Sequence, residues 1–155
     1  MKLDLGACDS KLPGYHTVDL VPPADFVFDL STAPWPWPDS SIIEVNASHI
    51  FEHLPSRIRT MNELWRILMP GARATIEVPN AMKGAGFYQD PTHVSPWCMN
   101  SFQYFQDGSA NHNRFARHYG IKARFKLIQA QEGVTPANPP WEEVWVLTVI
   151  VEAVK

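Results

Sequence analysis

The feature that most constrains this chain is a helical period set between two β-branched runs. From Ser56 to Leu68, apolar residues fall at Ile58, Met61, Leu64, Trp65 and Leu68. Those steps of three and four place one stripe against a core. Ser41 to Ala47 before it and Ala72 to Pro79 after it are apolar and β-branched, so both are expected to be buried strands. Pro55 suits the start of the helix and Pro70-Gly71 its stop. A strand, a crossover helix and a second strand make the unit of a parallel sheet.

The remaining segments extend that sheet. Lys2 to Gly6, His16 to Asp19 and Asp25 to Asp29 are expected to be short strands. Met82 to Asn100 is a long polar and aromatic loop, of a length that is often functional. Ser101 to Phe105 and His112 to Tyr119 are expected to be short helices. Phe125 to Gln131 and Val144 to Val154 are expected to pair antiparallel, with Gly133 to Trp141 as a Pro-rich loop between them. The outcome is an open, mostly parallel sheet with an antiparallel edge.

At 155 residues the chain fits a single domain, 1–155, with one core. A hydrophobic fraction of 45% and a charged fraction of 19% argue against disorder. Thirteen basic residues against sixteen acidic ones give a net charge of −3, which lacks the basic excess of a duplex-binding protein, so no nucleic acid is expected as a partner. Cys8 and Cys98 show no CxxC spacing and suggest neither zinc knuckle nor disulfide framework. No apolar run approaches the roughly 20 residues that span a bilayer. The first residues lack the apolar stretch of a signal peptide. A cytoplasmic setting without membrane insertion is therefore expected. Many of the six Trp and fourteen Pro cluster in loops, as in Pro34-Trp35-Pro36-Trp37-Pro38, Ser95-Pro96-Trp97 and Pro139-Pro140-Trp141. Such aromatics either cover sheet edges and fill the core or line a pocket; the first is expected.

Several ordered blocks resemble one known family. Leu3-Asp4-Leu5-Gly6-Ala7-Cys8 resembles the glycine loop of class I S-adenosylmethionine (SAM)-dependent methyltransferases, in their type 11-like branch. Pro36-Trp37-Pro38-Asp39-Ser40-Ser41 resembles the family's PFPDNSF stretch, and Ala47-Ser48-His49-Ile50-Phe51-Glu52-His53-Leu54 its ASHVLEHL segment. Asn62 to Gly71 resembles LxELxRVLKPGG, and Glu77-Val78-Pro79-Asn80 and Asp90-Pro91-Thr92-His93 also have counterparts. The blocks keep the family's order over about residues 2 to 105. The resemblance implies an α/β, Rossmann-like open sheet in three αβα layers, closed by the antiparallel hairpin, and SAM as cofactor with S-adenosylhomocysteine as product.

The resemblance also implies roles for particular residues. Ligands of open α/β sheets bind beyond the carboxyl ends of the strands, where strand order reverses. Gly6 ends the first strand, and without a side chain it lets the backbone approach the methionine part of SAM. Ala7 and Cys8 continue that loop. Asp4 either holds this end of the cofactor or orders the loop. Asp19, followed by Leu20, is placed to accept the ribose hydroxyls. Asp29, followed by Leu30, either meets the adenine amino group or caps a turn. Ala47, Ser48 and His49 follow the fourth strand, where the family's backbone meets the SAM amino group; His53 is a further cofactor-side candidate.

Three departures from the family's pattern bear on this. Its second loop glycine is Cys8 here, and a side chain takes left-handed torsions less freely than Gly. Cys8 to Thr17 is also too short for the first helix, with Pro13-Gly14 suggesting a tight loop, and the chain starts at the first strand with no helix ahead of it. One sheet face is thus expected to be thinly covered, and a homodimer contact would cover it.

Methyl transfer needs in-line positioning. An oxygen or neutral nitrogen acceptor also needs a base near operating pH. His93 is the first candidate base, with Asp90, Tyr88 and His49 as further ones; a loop-ordering role for His93 is the other reading. The expected acceptor is a small molecule, a sugar or a lipid-linked group. Three alternatives stand beside this. The fold could bind SAM without turnover. His49-Ile50-Phe51-Glu52-His53 matches HxxEH, which in a zinc hydrolase places two His one helical turn apart with Glu as base. Asn138-Pro139-Pro140-Trp141 resembles the NPPY/W motif of amino-methyltransferases, although that motif belongs after the fourth strand. No metal is expected in the methyltransferase reading.

Overall fold

The computed structural model describes residues 1–8, 11–135 and 144–155. Five parallel strands come first: β1 (Lys2–Leu5), β2 (His16–Asp19), β3 (Phe26–Val27), β4 (Ile42–Ser48) and β5 (Leu68–Pro79). Then β6 (Phe125–Thr135) and β7 (Val144–Ala153) complete one sheet in the order β3-β2-β1-β4-β5-β7-β6. Here β7 runs antiparallel to both neighbours. Strand order reverses between β1 and β4, which sets the ligand-binding crevice of such a sheet at their carboxyl ends.

The expected helix is α1 (Arg57–Ile67), with Met61, Leu64 and Ile67 fully buried. Ser56 caps it by accepting from the Arg59 amide. Pro70-Gly71 does not end it. The chain turns extended already at Leu68, which pairs with Ile42, so Pro70 and Gly71 lie in the exposed start of β5. Two shorter helices follow, α2 (Met99–Phe102) and α3 (Ala110–Tyr119). Asn62 of α1 donates to the carbonyl of Gly120 and accepts from the amides of Lys122 and Ala123, tying α1 to the end of α3.

The sheet's two faces differ sharply in chemistry. Leu3, Leu5, Val18, Val45, Ala47, Ala74, Ile76 and Val149 are fully or almost fully buried on the face that α1 covers. Trp97, Phe102 and Phe105 add to that layer, and Trp35 and Trp37 are buried in the loop before β4, so these aromatics fill core volume as expected. Glu63 and Arg66 of α1 pin that loop. Glu63 accepts from the Trp35 amide at 2.7 Å, and Arg66 donates to the carbonyls of Trp35 and Trp37, both at 2.9 Å.

On the opposite face, cross-strand neighbours form a ladder of alternating charge. Lys2, Glu44, Arg73, Glu152 and Lys126 follow one another across β1, β4, β5, β7 and β6. Lys2 bonds Glu44 at 2.5 Å and Arg73 bonds Glu152 at 3.1 Å, with side chains 26% to 58% exposed. Asp4, Asn46 and Thr75 form a second polar row. Among the described residues no helix lies between β1 and β4; α1 follows β4, and α2 and α3 follow β5. A face with five charges in one row is costly to bury, although Ile150 lies on it across from Thr75. Cys8 is exposed and Cys98 half-buried, and both are free thiols. No described helix is long and apolar enough to cross a membrane.

Candidate active site

The loop after β1 turns at Gly6, whose φ is +67° and whose amide donates to the Val18 carbonyl at 2.8 Å. A Cβ at Gly6 would lie 2.7 Å from the Ile50 Cβ, so close approach as well as torsion requires glycine. Cys8 takes a left-handed φ of +49° despite its side chain. Its amide donates to Asp19 Oδ2 at 2.9 Å, while Asp19 Oδ1 accepts the Leu20 amide at 2.7 Å. Asp19 thus splints the loop to the end of β2.

Asp4 is 3% exposed and accepts from Asn46 Nδ2 at 2.7 Å. Burial pushes its carboxyl above the usual range, against the pull of that hydrogen bond. Asp29 accepts the Ser31 amide at 2.8 Å, and its hydrogen bonds to Ser31 hold its carboxyl below the ordinary range. Asp29 therefore caps a turn and borders a cavity at once.

Two cavities meet at Gly6. One, of about 310 Å³, is lined by Gly6, Asp19, Leu20, Asp29, Leu30 and His53, with Phe28, Ser31, Ile50 and Leu54. The other, of about 550 Å³, is lined by Asp4, Gly6, Ala7, Cys8, Ser48 and His49, with Leu12, Asn46, Thr75 and Glu77. Of the expected cofactor-side residues only Ala47 borders neither; its side chain is fully buried in the core. Ile50, packed against Gly6, was not expected. A third cavity of about 440 Å³ lies among α1, α2 and α3 and contains none of the expected residues.

Beyond β4 the chain does not form the helix that HxxEH requires. His49 has φ +52°, and Phe51–His53 is a single 3-10 turn, so His49 and His53 are not one α-helical turn apart. His49 instead bridges two carboxylates, with Nδ1 3.3 Å from Glu52 Oε1 and Nε2 3.4 Å from Glu77 Oε1. The hydrogen bond to Glu52 raises its pKa, burial opposing.

Two of the acceptor-side candidates, Asp90 and His93, lie beside His53. Asp90 accepts from the Thr92 hydroxyl at 2.5 Å and the Thr92 amide at 2.8 Å, which hold its carboxyl low. His53 Nδ1 lies 3.0 Å from the same hydroxyl oxygen. The His93 side chain is 9% exposed, with Nδ1 2.7 Å from the Phe87 carbonyl and Nε2 3.8 Å from Asp90 Oδ2. Tyr88 is exposed and meets Phe87 edge-on. Asn138 to Trp141, the NPPW segment, lies outside the described residues.

No protein-family model matches the chain, and no curated protein matches its sequence. Solved structures do. A putative methyltransferase from Haloferax volcanii, in complex with the Trm112 methyltransferase activator, is similar with a TM-score of 0.67 and 15% identity over 99% of this chain and 82% of that one. A SAM-dependent methyltransferase from Methanosarcina mazei gives 0.64 and 15%, over 99% and 92%. The 1,6-didemethyltoxoflavin N1-methyltransferase of Burkholderia thailandensis, with bound substrate and S-adenosylhomocysteine, gives 0.60 and 13%, over 99% and 71%. The chain has the class I SAM-dependent methyltransferase fold. Within that fold it has, among the described residues, no helix between β1 and β4.

Proposed function

We propose that the chain is a SAM-dependent methyltransferase acting on a small-molecule, sugar or lipid-linked acceptor in the cytoplasm. One observation carries the reading: Gly6, Asp19, Leu20, Asp29 and Leu30, from the ends of three strands, line one cavity beside the strand-order reversal. The lining fits the cofactor. It combines two carboxylates with apolar walls from Leu20, Phe28, Leu30 and Leu54, and a glycine where the backbone must come close.

When bound, the cofactor supplies a methyl group activated on a sulfonium. Asp19, held by the Cys8 and Leu20 amides, keeps further lone pairs for the ribose hydroxyls. Asp29 and Leu30 border the adenine end. Gly6, Ala7 and Cys8, with Ser48 and His49 and the backbone of Ala47, serve the methionine end, and His53 stands at the rim. Tyr88, Asp90 and His93 form the acceptor side. Asp90 is a weak base because its carboxyl is held low. These groups act by positioning the acceptor in line. The alternating charges of the open face and the net charge of −3 offer duplex nucleic acid no basic surface, which favours a small acceptor. The test is equilibrium dialysis of the protein with methyl-labelled SAM. The expected result is saturable binding of about one equivalent, displaced by S-adenosylhomocysteine and not by NAD; no saturable binding contradicts the proposal.

A further inference from the structure

Glu52 is a carboxylate enclosed by protein. Its side chain is 1% exposed; Oε1 meets His49 Nδ1 at 3.3 Å, and among the described residues Oε2 has no hydrogen-bond partner. Burying a carboxylate oxygen without a partner is costly, so Oε2 calls for a positive group.

The histidines around it are oriented as metal ligands are. A carbonyl can only accept, so the 2.7 Å contact of His93 Nδ1 with the Phe87 carbonyl places the proton on Nδ1. In the neutral ring Nε2 then carries a lone pair. It faces Glu52 Oε1 at 4.0 Å and Asp90 Oδ2 at 3.8 Å. The Thr92 hydroxyl donates to Asp90, so it accepts from His53 Nδ1 at 3.0 Å, which leaves His53 Nε2 as the free lone pair. Each imidazole thus spends one N–H on a fixed oxygen and keeps the other nitrogen as a donor to an ion. That is how the surroundings of metal-binding histidines set their tautomer.

We propose that Glu52, His53 and His93 form a divalent-cation site at the rim of the cofactor cavity. One ligand atom from each lies within 4.8 Å of the others. A tetrahedral ion with bonds of about 2.0–2.1 Å needs them about 3.4 Å apart, a closure of up to about 1.4 Å by side-chain torsion. Two imidazoles and one carboxylate suit Zn²⁺ or a neighbouring first-row ion. Three protein ligands leave a coordination position open, and His53 stands at the rim of the cofactor cavity with its ring 4.7 Å from that of His93 on the acceptor side. A hydroxyl held there releases its proton to bulk water at lower pH than when free, an activation that Asp90 is too acidic to provide. His49 is not a ligand in this arrangement; it pairs with Glu52 and Glu77.

The site stands on these side chains and does not depend on SAM binding. The test titrates the EDTA-treated full chain with Co²⁺ alone, followed by visible absorption, and then adds Zn²⁺. The expected result is one equivalent of Co²⁺ with ligand-field bands, displaced by Zn²⁺. His53→Ala and His93→Ala should each weaken binding by about tenfold or more while still melting cooperatively. His118→Ala, at an exposed position of α3, should bind as the wild type does. Binding well below one equivalent, or binding unchanged in His53→Ala, overturns the proposal. Titration of the same sample with S-adenosylhomocysteine separates the two readings: metal binding without it leaves this site standing and removes the methyltransferase.

Discussion

The amide of Cys8 donates to the carboxylate of Asp19 at 2.9 Å, closing the loop after β1 onto the end of β2. Asp19 therefore has two tasks, to shape the loop and to face the cavity. Asp19→Ala should weaken cofactor binding by about tenfold or more and leave the Cys8 amide without its anchor. Asp19→Asn keeps one acceptor oxygen and should retain part of the affinity. Binding titrations of both variants check the order wild type, Asn, Ala.

Glycine loop torsions give a second pair of outcomes with opposite signs. Cys8 holds a left-handed φ of +49°, a strain of roughly 1 kcal/mol for a residue with a side chain. Cys8→Gly should relieve it, with equal or higher melting temperature and equal or tighter binding. Gly6→Ala should do the reverse, because its Cβ would lie 2.7 Å from that of Ile50. Thermal unfolding and cofactor titration read both.

The charged face predicts behaviour in solution. Exposed pairs such as Lys2–Glu44 and Arg73–Glu152 contribute only about 0–1 kcal/mol each, so the ladder serves mainly to keep that face in water. Replacing Glu44, Arg73 and Glu152 together with leucine should change stability little and create a self-associating surface. Sedimentation should show the triple variant associating while the wild type does not bury this face.

The clamp on the tryptophan loop predicts a limb in the acid unfolding curve. Burial works to raise the Glu63 carboxyl, but the Arg66 guanidinium and the Trp35 amide overcome it and hold the group below its usual value of 4.5. A lowered folded pKa gives stability that is present above the unfolded pKa and lost as pH falls through the folded one. The difference in melting temperature between wild type and Glu63→Gln should thus be full above about pH 5 and shrink below about pH 4. A difference independent of pH would remove the clamp's ionic part.

Much of this was legible because period and strand ends are local. The stripe of Met61 and Leu64 gave α1, and Gly6, Asp19 and Asp29 fell at strand ends that the sheet order brings together. Pro70-Gly71 misled because pairing of β5 with β4 begins at Leu68 and overrides the local breaker. Strand β3 shrank to two residues because the Asp25 carboxylate is taken by the Thr17 amide before it. The polar face was written in the alternation of Glu44, Asn46 and Ser48. The enclosure of Glu52 was not legible. It depends on a distant loop, whose Val94 and Ser95 amides both donate to the Glu52 carbonyl.

The proposed function requires that the crevice beyond β1 and β2 hold SAM through Asp19. Calorimetric titration of the wild type and Asp19→Ala with S-adenosylhomocysteine reads this contact. One-site binding at roughly micromolar strength is expected in the wild type, weakened by about tenfold or more in a variant that still melts cooperatively. Absence of binding in the wild type, or equal binding in both proteins, would contradict it.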